Sequence, residues 1–108
     1  ELQRFLQRRK HKRVTVPVYT LNHLAEELTL PAHIVKVDVQ GFEKHVLEGA
    51  TDLMAKRQIK SWIIGTHFED IHEQCIDILR SYDYDIVYNE YEVEYQSDGL
   101  VVARLDDI

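Results

Sequence analysis

The chain has 108 residues, of which 44% are hydrophobic and 30% charged, with a net charge of −6. That length makes one domain at most, yet enough to bury a core, and the composition excludes wholesale disorder. A lone cysteine, Cys75, excludes an internal disulfide, and no apolar run approaches the roughly 20 residues of a membrane span. Charge is unevenly spread: residues 1–13 carry six Lys/Arg against Glu1, net +5, while residues 14–108 carry net −11. An acidic body repels nucleic acid, so only the basic run could touch phosphate. That run reads first as a solvated segment, with contact to the acidic body as a further alternative. The start is too polar for a signal peptide and lacks methionine. A cytoplasmic piece of a longer chain is expected.

Leu2, Phe5 and Leu6 are spaced i, i+3, i+4 and allow a short helix ahead of the basic run. Residues 14–20 alternate β-branched side chains and predict a strand, placed at an edge because Pro17 cannot donate to a ladder. Leu21, Leu24, Ala25 and Leu28 form one helical face, with Thr20 as N-cap and Pro31 as the stop. Residues 34–39 are a short β-branched strand. Phe42, Val46, Leu47, Ala50, Leu53 and Met54 repeat at helical spacing and predict one helix over about 42–56, slightly weakened by Gly49. Residues 61–66 read as a strand. The Asp70-Ile-His-Glu73 stretch has the form of a capping box, and Ile71, Cys75, Ile76 and Leu79 give its helix a buried face. Residues 84–88 and 92–95 are extended candidates, and Gly99 precedes a last strand over 100–103. This alternation implies an α/β fold: a mostly parallel sheet flanked by helices, ending in an antiparallel strand pair. The organisation expected is a basic segment, 1–13, followed by an α/β domain, 14–108.

In open α/β sheets ligands bind at the carboxyl ends of strands. Two such ends carry chemistry here. In the first, Asp38 ends a strand, Gly41 allows a sharp turn and a close approach, and Glu43 falls in the first turn of the following helix. The bland alternative is that Asp38 caps that helix while Glu43 complements its dipole. At the second, His67 lies just past a strand, where it can face Asp38 and act as acid, base or ligand; a loop histidine bonded to a carboxylate is the alternative. His67, Glu69, His72 and Cys75 match no standard zinc spacing, so no metal is expected. The four glycines are too scattered for a phosphate-binding loop, and Ser61, Ser81 and Ser97 lack a nucleophile-elbow context. The tyrosines over 82–95 sit among acids and suit a hairpin better than base stacking.

Four segments together carry a family resemblance. They are Val16-Pro-Val-Tyr-Thr-Leu-Asn22, Val35-Lys-Val-Asp-Val-Gln-Gly-Phe-Glu-Lys-His-Val-Leu-Glu-Gly-Ala50, Ile63-Ile-Gly-Thr-His67 and Tyr95-Gln-Ser-Asp-Gly-Leu100. Over residues 14–104 the chain resembles the FkbM-type methyltransferases. These are similar to other class I methyltransferases, which use S-adenosylmethionine on a seven-stranded, Rossmann-like α/β sheet. They typically methylate a hydroxyl of a sugar or secondary metabolite. The resemblance implies that this chain is the second half of such a domain. It implies that Asp38, Gln40 and Gly41 border the cofactor, that Asp38 and Glu43 border the methyl-transfer site, and that His67 lies beside a small-molecule hydroxyl acceptor. Gln40 stands where the family often has Glu, Asn22 where it often has Asp, and Phe68 where it often has a small polar residue. The family's cofactor-gripping glycine-rich turn and ribose-binding acid lie on earlier strands, and residues 1–13 cannot supply them. Weak cofactor binding or none is therefore expected, and a non-catalytic binding or assembly module is the alternative function. Without those strands the edge of residues 34–39 is open. Either residues 14–20 or a second copy would cover it, the latter making a homo-oligomer.

Overall fold

The computed structural model describes residues 13–28, 33–92 and 98–106. Pro31, the helix proposed ahead of the basic run and residues 93–95 lie outside those described.

The first element, α1 (Leu21–Leu28), begins where its sequence says it should. The Thr20 hydroxyl accepts the N–H of His23 at 3.1 Å, satisfying one of the free donors of the first turn. Residues 14–20 depart from expectation: they join no strand among the described residues and are exposed throughout. Alternating valines favour a strand only where an edge receives them, and among the described residues they pair with none.

Strand β1 (Ile34–Val37) is followed by two short helices, α2 (Glu43–Glu48) and α3 (Thr51–Ala55), in place of the single helix expected over 42–56. Asn22 divides them. Its backbone N–H donates to the Gly49 carbonyl at 2.9 Å, and its side-chain Oδ1 accepts the Leu53 N–H at 3.3 Å. Those two groups would have bonded each other in a continuous helix, so Asn22 is inserted into the ladder. Gly49 admits the approach, since a Cβ there would lie 3.1 Å from Thr20 Cβ.

Strand β2 (Ser61–Thr66) leads to α4 (Glu69–Ser81), β3 (Asp85–Glu90) and β4 (Gly99–Arg104). The N-cap of α4 is Phe68, with no side-chain cap bond, so the capping box expected at residues 70–73 does not form. The helix starts two residues earlier, and Asp70 lies inside its first turn. Its buried stripe is His72, Cys75, Ile76 and Leu79, with Ile71 only half-buried. Histidine thus occupies a core position.

The sheet order is β1-β2-β4-β3. β1 and β2 are parallel, whereas β4 runs antiparallel to both β2 and β3. The expected antiparallel C-terminal pair is present, but the mostly parallel sheet is not: two of three pairings are antiparallel. The cause is insertion. β3 runs in the same direction as β1 and β2, and β4 returns between β2 and β3 to separate them.

One face of the sheet carries the core. Trp62 and Ile64 of β2 stand opposite Ala103 and Val101 of β4, a large side chain facing a smaller one. Leu47 of α2 and Cys75, Ile76 and Leu79 of α4 join the same core cluster. Tyr84 is buried too, and its hydroxyl donates to the Ile59 carbonyl at 2.5 Å. Burial, and secondarily the charge of Glu43, pushes the Cys75 thiol from 9.0 up to about 12. The unfolded thiol releases its proton from about pH 9 while the folded one holds it to about 12. Stability is therefore unaffected by this group below pH 9 and falls as pH rises through that window. Urea unfolding at stepped pH is expected to show a shallower alkaline loss in Cys75→Ala than in the parent chain.

Among the described residues no helix is long and apolar enough to cross a membrane.

Candidate functional site

The register brings three chain segments to one end of the sheet. Because β1 and β2 are parallel, their carboxyl ends share that end, and the pairing of Thr66 with Gly99 adds the start of β4. Asp38, His67 and Asp98 are the residues just beyond these strand ends. His67 Nε2 lies 3.8 Å from Asp38 Oδ1 and 3.6 Å from Asp98 Oδ2. Asp38 is largely exposed, Asp98 is half-buried, and the imidazole is mostly covered. Asp38 is not a helix cap: α2 is entered through Phe42, and no side chain caps it. Nor does Asp38 bear the cost of burial, since β1 is an edge strand and the aspartate reaches solvent.

Glu43 is the least exposed of the acids at this end, with 0% of its surface accessible. One carboxylate oxygen accepts the Gly41 N–H at 2.8 Å and the other accepts the His67 N–H at 2.9 Å. The His67 ring nitrogen Nδ1 lies 3.3 Å from the same second oxygen. Glu43 therefore straps the turn after β1 to the exit of β2. Two backbone donors make its burial tolerable. It acts on the mouth of the site through these two residues.

Gln40 and Gly41 form the turn itself, with φ values of 50° and 104°. Gln40 is exposed at its apex. Gly41 is required twice over: its φ suits glycine, and a Cβ there would press within 3.1 Å of the Phe68 ring. Phe68 in turn holds φ 71° and ψ 135°, an uncommon conformation for a residue with a side chain.

A groove of about 190 Å³ opens at this end, on the sheet face away from the helices. Lys36, Asp38, His67, Asp98 and Leu100 are among its walls, and Gly65 lies on its floor, where Asp38 Oδ1 is 3.7 Å from the position a Cβ would take. Asp98, Lys36 and Gly65 were missed in the sequence. Asp98 precedes a strand running the opposite way, and only the pairing reveals that this start lies beside the other strands' ends. A larger depression of about 470 Å³ lies between α1 and α3, lined by Asn22, Glu26, Asp52 and Lys56 among others. Asn22 is already bonded there to the helix backbone and to Thr51, so this depression marks a packing junction.

Beneath the groove a second polar cluster joins buried His72 and Thr66 to Asn89 at the edge of the sheet. His72 Nδ1 lies 2.6 Å from Thr66 Oγ1, and its Nε2 lies 2.7 Å from Asn89 Oδ1. The Tyr91 ring meets the imidazole edge-on. His72 and Cys75 are thus core residues, and no group of three or more His, Cys, Asp or Glu among the described residues is placed to hold a metal ion.

An α/β sheet with a histidine and carboxylates gathered at its strand ends has polar groups where open α/β sheets commonly bind ligands. The particular family follows from comparison: the methyltransferase FkbM domain matches residues 1–86, and the chain belongs to that family. The matched stretch includes the basic segment set apart in the sequence and stops before β4, so Asp98 lies beyond it. No curated protein and no solved structure matches the chain.

Proposed function

We propose that the chain carries the acceptor side of a methyl-transfer site, in which a hydroxyl of a small molecule, such as a sugar or secondary metabolite, enters the groove at the strand ends. The observation that carries this reading is the convergence of His67, Asp38 and Asp98. With Nδ1–H donated to Glu43, His67 presents the lone pair of Nε2 toward the groove, where it can take the acceptor's hydroxyl proton. A proton arriving at Nε2 meets two carboxylates within 4 Å. Glu43 holds the histidine in register, and Asp38 and Asp98 bond neighbouring hydroxyls. The FkbM family implies S-adenosylmethionine as methyl donor. The groove of about 190 Å³ is below the roughly 300–1,000 Å³ of ordinary ligand pockets. Its described residues include no slot for a nucleoside, so they do not fit the whole cofactor. Asp38 suits only its cationic methionine end. The antiparallel β3–β4 pair supports reading this sheet as the second half of a class I methyltransferase sheet.

Ring resonances of His67 test the reading. Addition of hydroxylated ligands, methyl glycosides first, is expected to shift them in the parent chain and not in an Asp38→Asn, Asp98→Asn double variant. A His67 signal indifferent to every such ligand sinks it. The small groove favours a second reading, a non-catalytic binding module. Calorimetric titration with S-adenosylhomocysteine separates the two: micromolar binding, lost in Asp38→Ala, excludes the module.

A further inference from the structure

The buried stripe of α4 runs His72, Cys75, Ile76, Leu79. Leucine at its first position would fill the core without the cost of burying an imidazole. What the imidazole adds is direction. Asn89 Oδ1 can only accept, so His72 Nε2 carries a proton, and the lone pair of Nδ1 takes the Thr66 hydroxyl proton. The neutral ring is thereby bonded on one side to the last residue of β2 and on the other to β3. Apolar contacts tolerate sliding, whereas hydrogen bonds at 2.6 and 2.7 Å from opposite sides of one ring define a single arrangement.

The same spot gathers the end of β3 and the start of β4. Tyr91, just past β3, meets the imidazole edge-on at 5.4 Å. Gly99 opens β4, and Thr66 Oγ1, His72 Nδ1 and the Tyr91 ring crowd the space its Cβ would take. Thr66 pairs with Gly99 across the sheet. His67 follows the first of these residues and Asp98 precedes the second, so the contact of His67 with Asp98 lies one residue beyond the bonded cluster. We propose that His72 is a positioning residue of the strand-end site. Through Thr66 it fixes the exit of β2 against the start of β4, and so sets Asp98 beside the His67 ring. Glu43 holds His67 from the side of β1, and His72 holds Asp98 from the side of β4. The use of Asp98 toward an acceptor rests on the methyl-transfer reading, whereas its placement is a property of the free chain.

The test therefore needs no ligand. In the free parent chain a nuclear Overhauser cross-peak is expected between the His67 Hε1 proton and the Asp98 β-protons, with His72 in the neutral Nε2–H tautomer by its ring nitrogen shifts. Thr66→Val keeps the shape of the side chain, removes the donor and is expected to lose the cross-peak. Thr66→Ser restores a hydroxyl and is expected to keep it. Asn89 is exposed, so Asn89→Ala spares the fold while removing the acceptor that orients the ring, and it is expected to weaken the cross-peak even if the valine variant does not fold. A role in packing alone would lower the urea midpoint of these variants and leave the cross-peak of their folded state intact, and that result overturns the proposal. So does a parent chain without the cross-peak, or a serine variant that loses it. The expected pattern supports the positioning role even if methyl glycosides leave His67 unmoved, an outcome that counts only against the methyl-transfer reading.

Discussion

Replacement of Glu43 by alanine is expected to destabilise the folded chain by about 3–5 kcal/mol, close to the limit a small domain survives. The carboxylate is fully buried and accepts the backbone N–H groups of Gly41 and His67. Alanine leaves both donors without a partner and opens a void where the carboxylate stood. Each unsatisfied donor costs about 1–3 kcal/mol, and the cavity adds to that. Glu43→Gln keeps one acceptor oxygen and should lose about half as much. Urea unfolding reads both values, with the midpoint falling and the slope unchanged. A loss below about 1 kcal/mol for Glu43→Ala would falsify the strap. The same variant should also release the His67 ring from its fixed position, visible as broadening or multiplicity of its resonances.

Gly99→Ala is expected to cost about 3 kcal/mol through overpacking. A Cβ at this position would sit 2.6 Å from His72 Nδ1, 2.8 Å from a Tyr91 ring carbon and closer still to Thr66 Oγ1. None of these can yield easily, because His72 is bonded on both ring nitrogens and Thr66 is one of its partners. Gly49→Ala provides the contrast. Its Cβ would meet methyl-bearing carbons of Thr20 at 3.1 and 3.2 Å, next to an exposed segment that can shift. Its cost should be clearly the smaller of the two in paired thermal and urea melts. Combining Gly99→Ala with Thr66→Ala clears the nearest atom, so the pair should be non-additive; strict additivity would show that the clash is not where the penalty arises.

Much of the chain was readable residue by residue wherever one element answered to local rules. β2 has the boundaries its sequence suggested, 61–66, and α1 starts just after the threonine that caps it. Asp38 and His67 could be singled out because each follows a strand, and strand ends are where α/β sheets place polar groups. What misled was always a partner elsewhere in the chain. The 3.6-residue period continued through Gly49, and nothing near it announced that Asn22, 27 positions earlier, would enter the ladder. His72 had the spacing of a core residue but the chemistry of a ligand, and only Thr66 and Asn89 made its burial affordable.

The sequence by itself determined the alternation of strands and helices from residue 21 onward, apart from the break at Gly49, and also the family and two of the three residues that converge at the strand ends. These follow from side-chain periodicity and local backbone preference, which act over a few residues. Tertiary structure alone decided the rest. Insertion of β4 between β2 and β3 turned a nominally parallel sheet into one with mostly antiparallel pairing and carried Asp98 to His67. Burial of Glu43 made it a strap between two turns. Residues 14–20, though β-prone, join no strand among the described residues. Strand pairing is a choice among distant edges with similar local patterns, and its energy depends on which edges are free when the chain has folded.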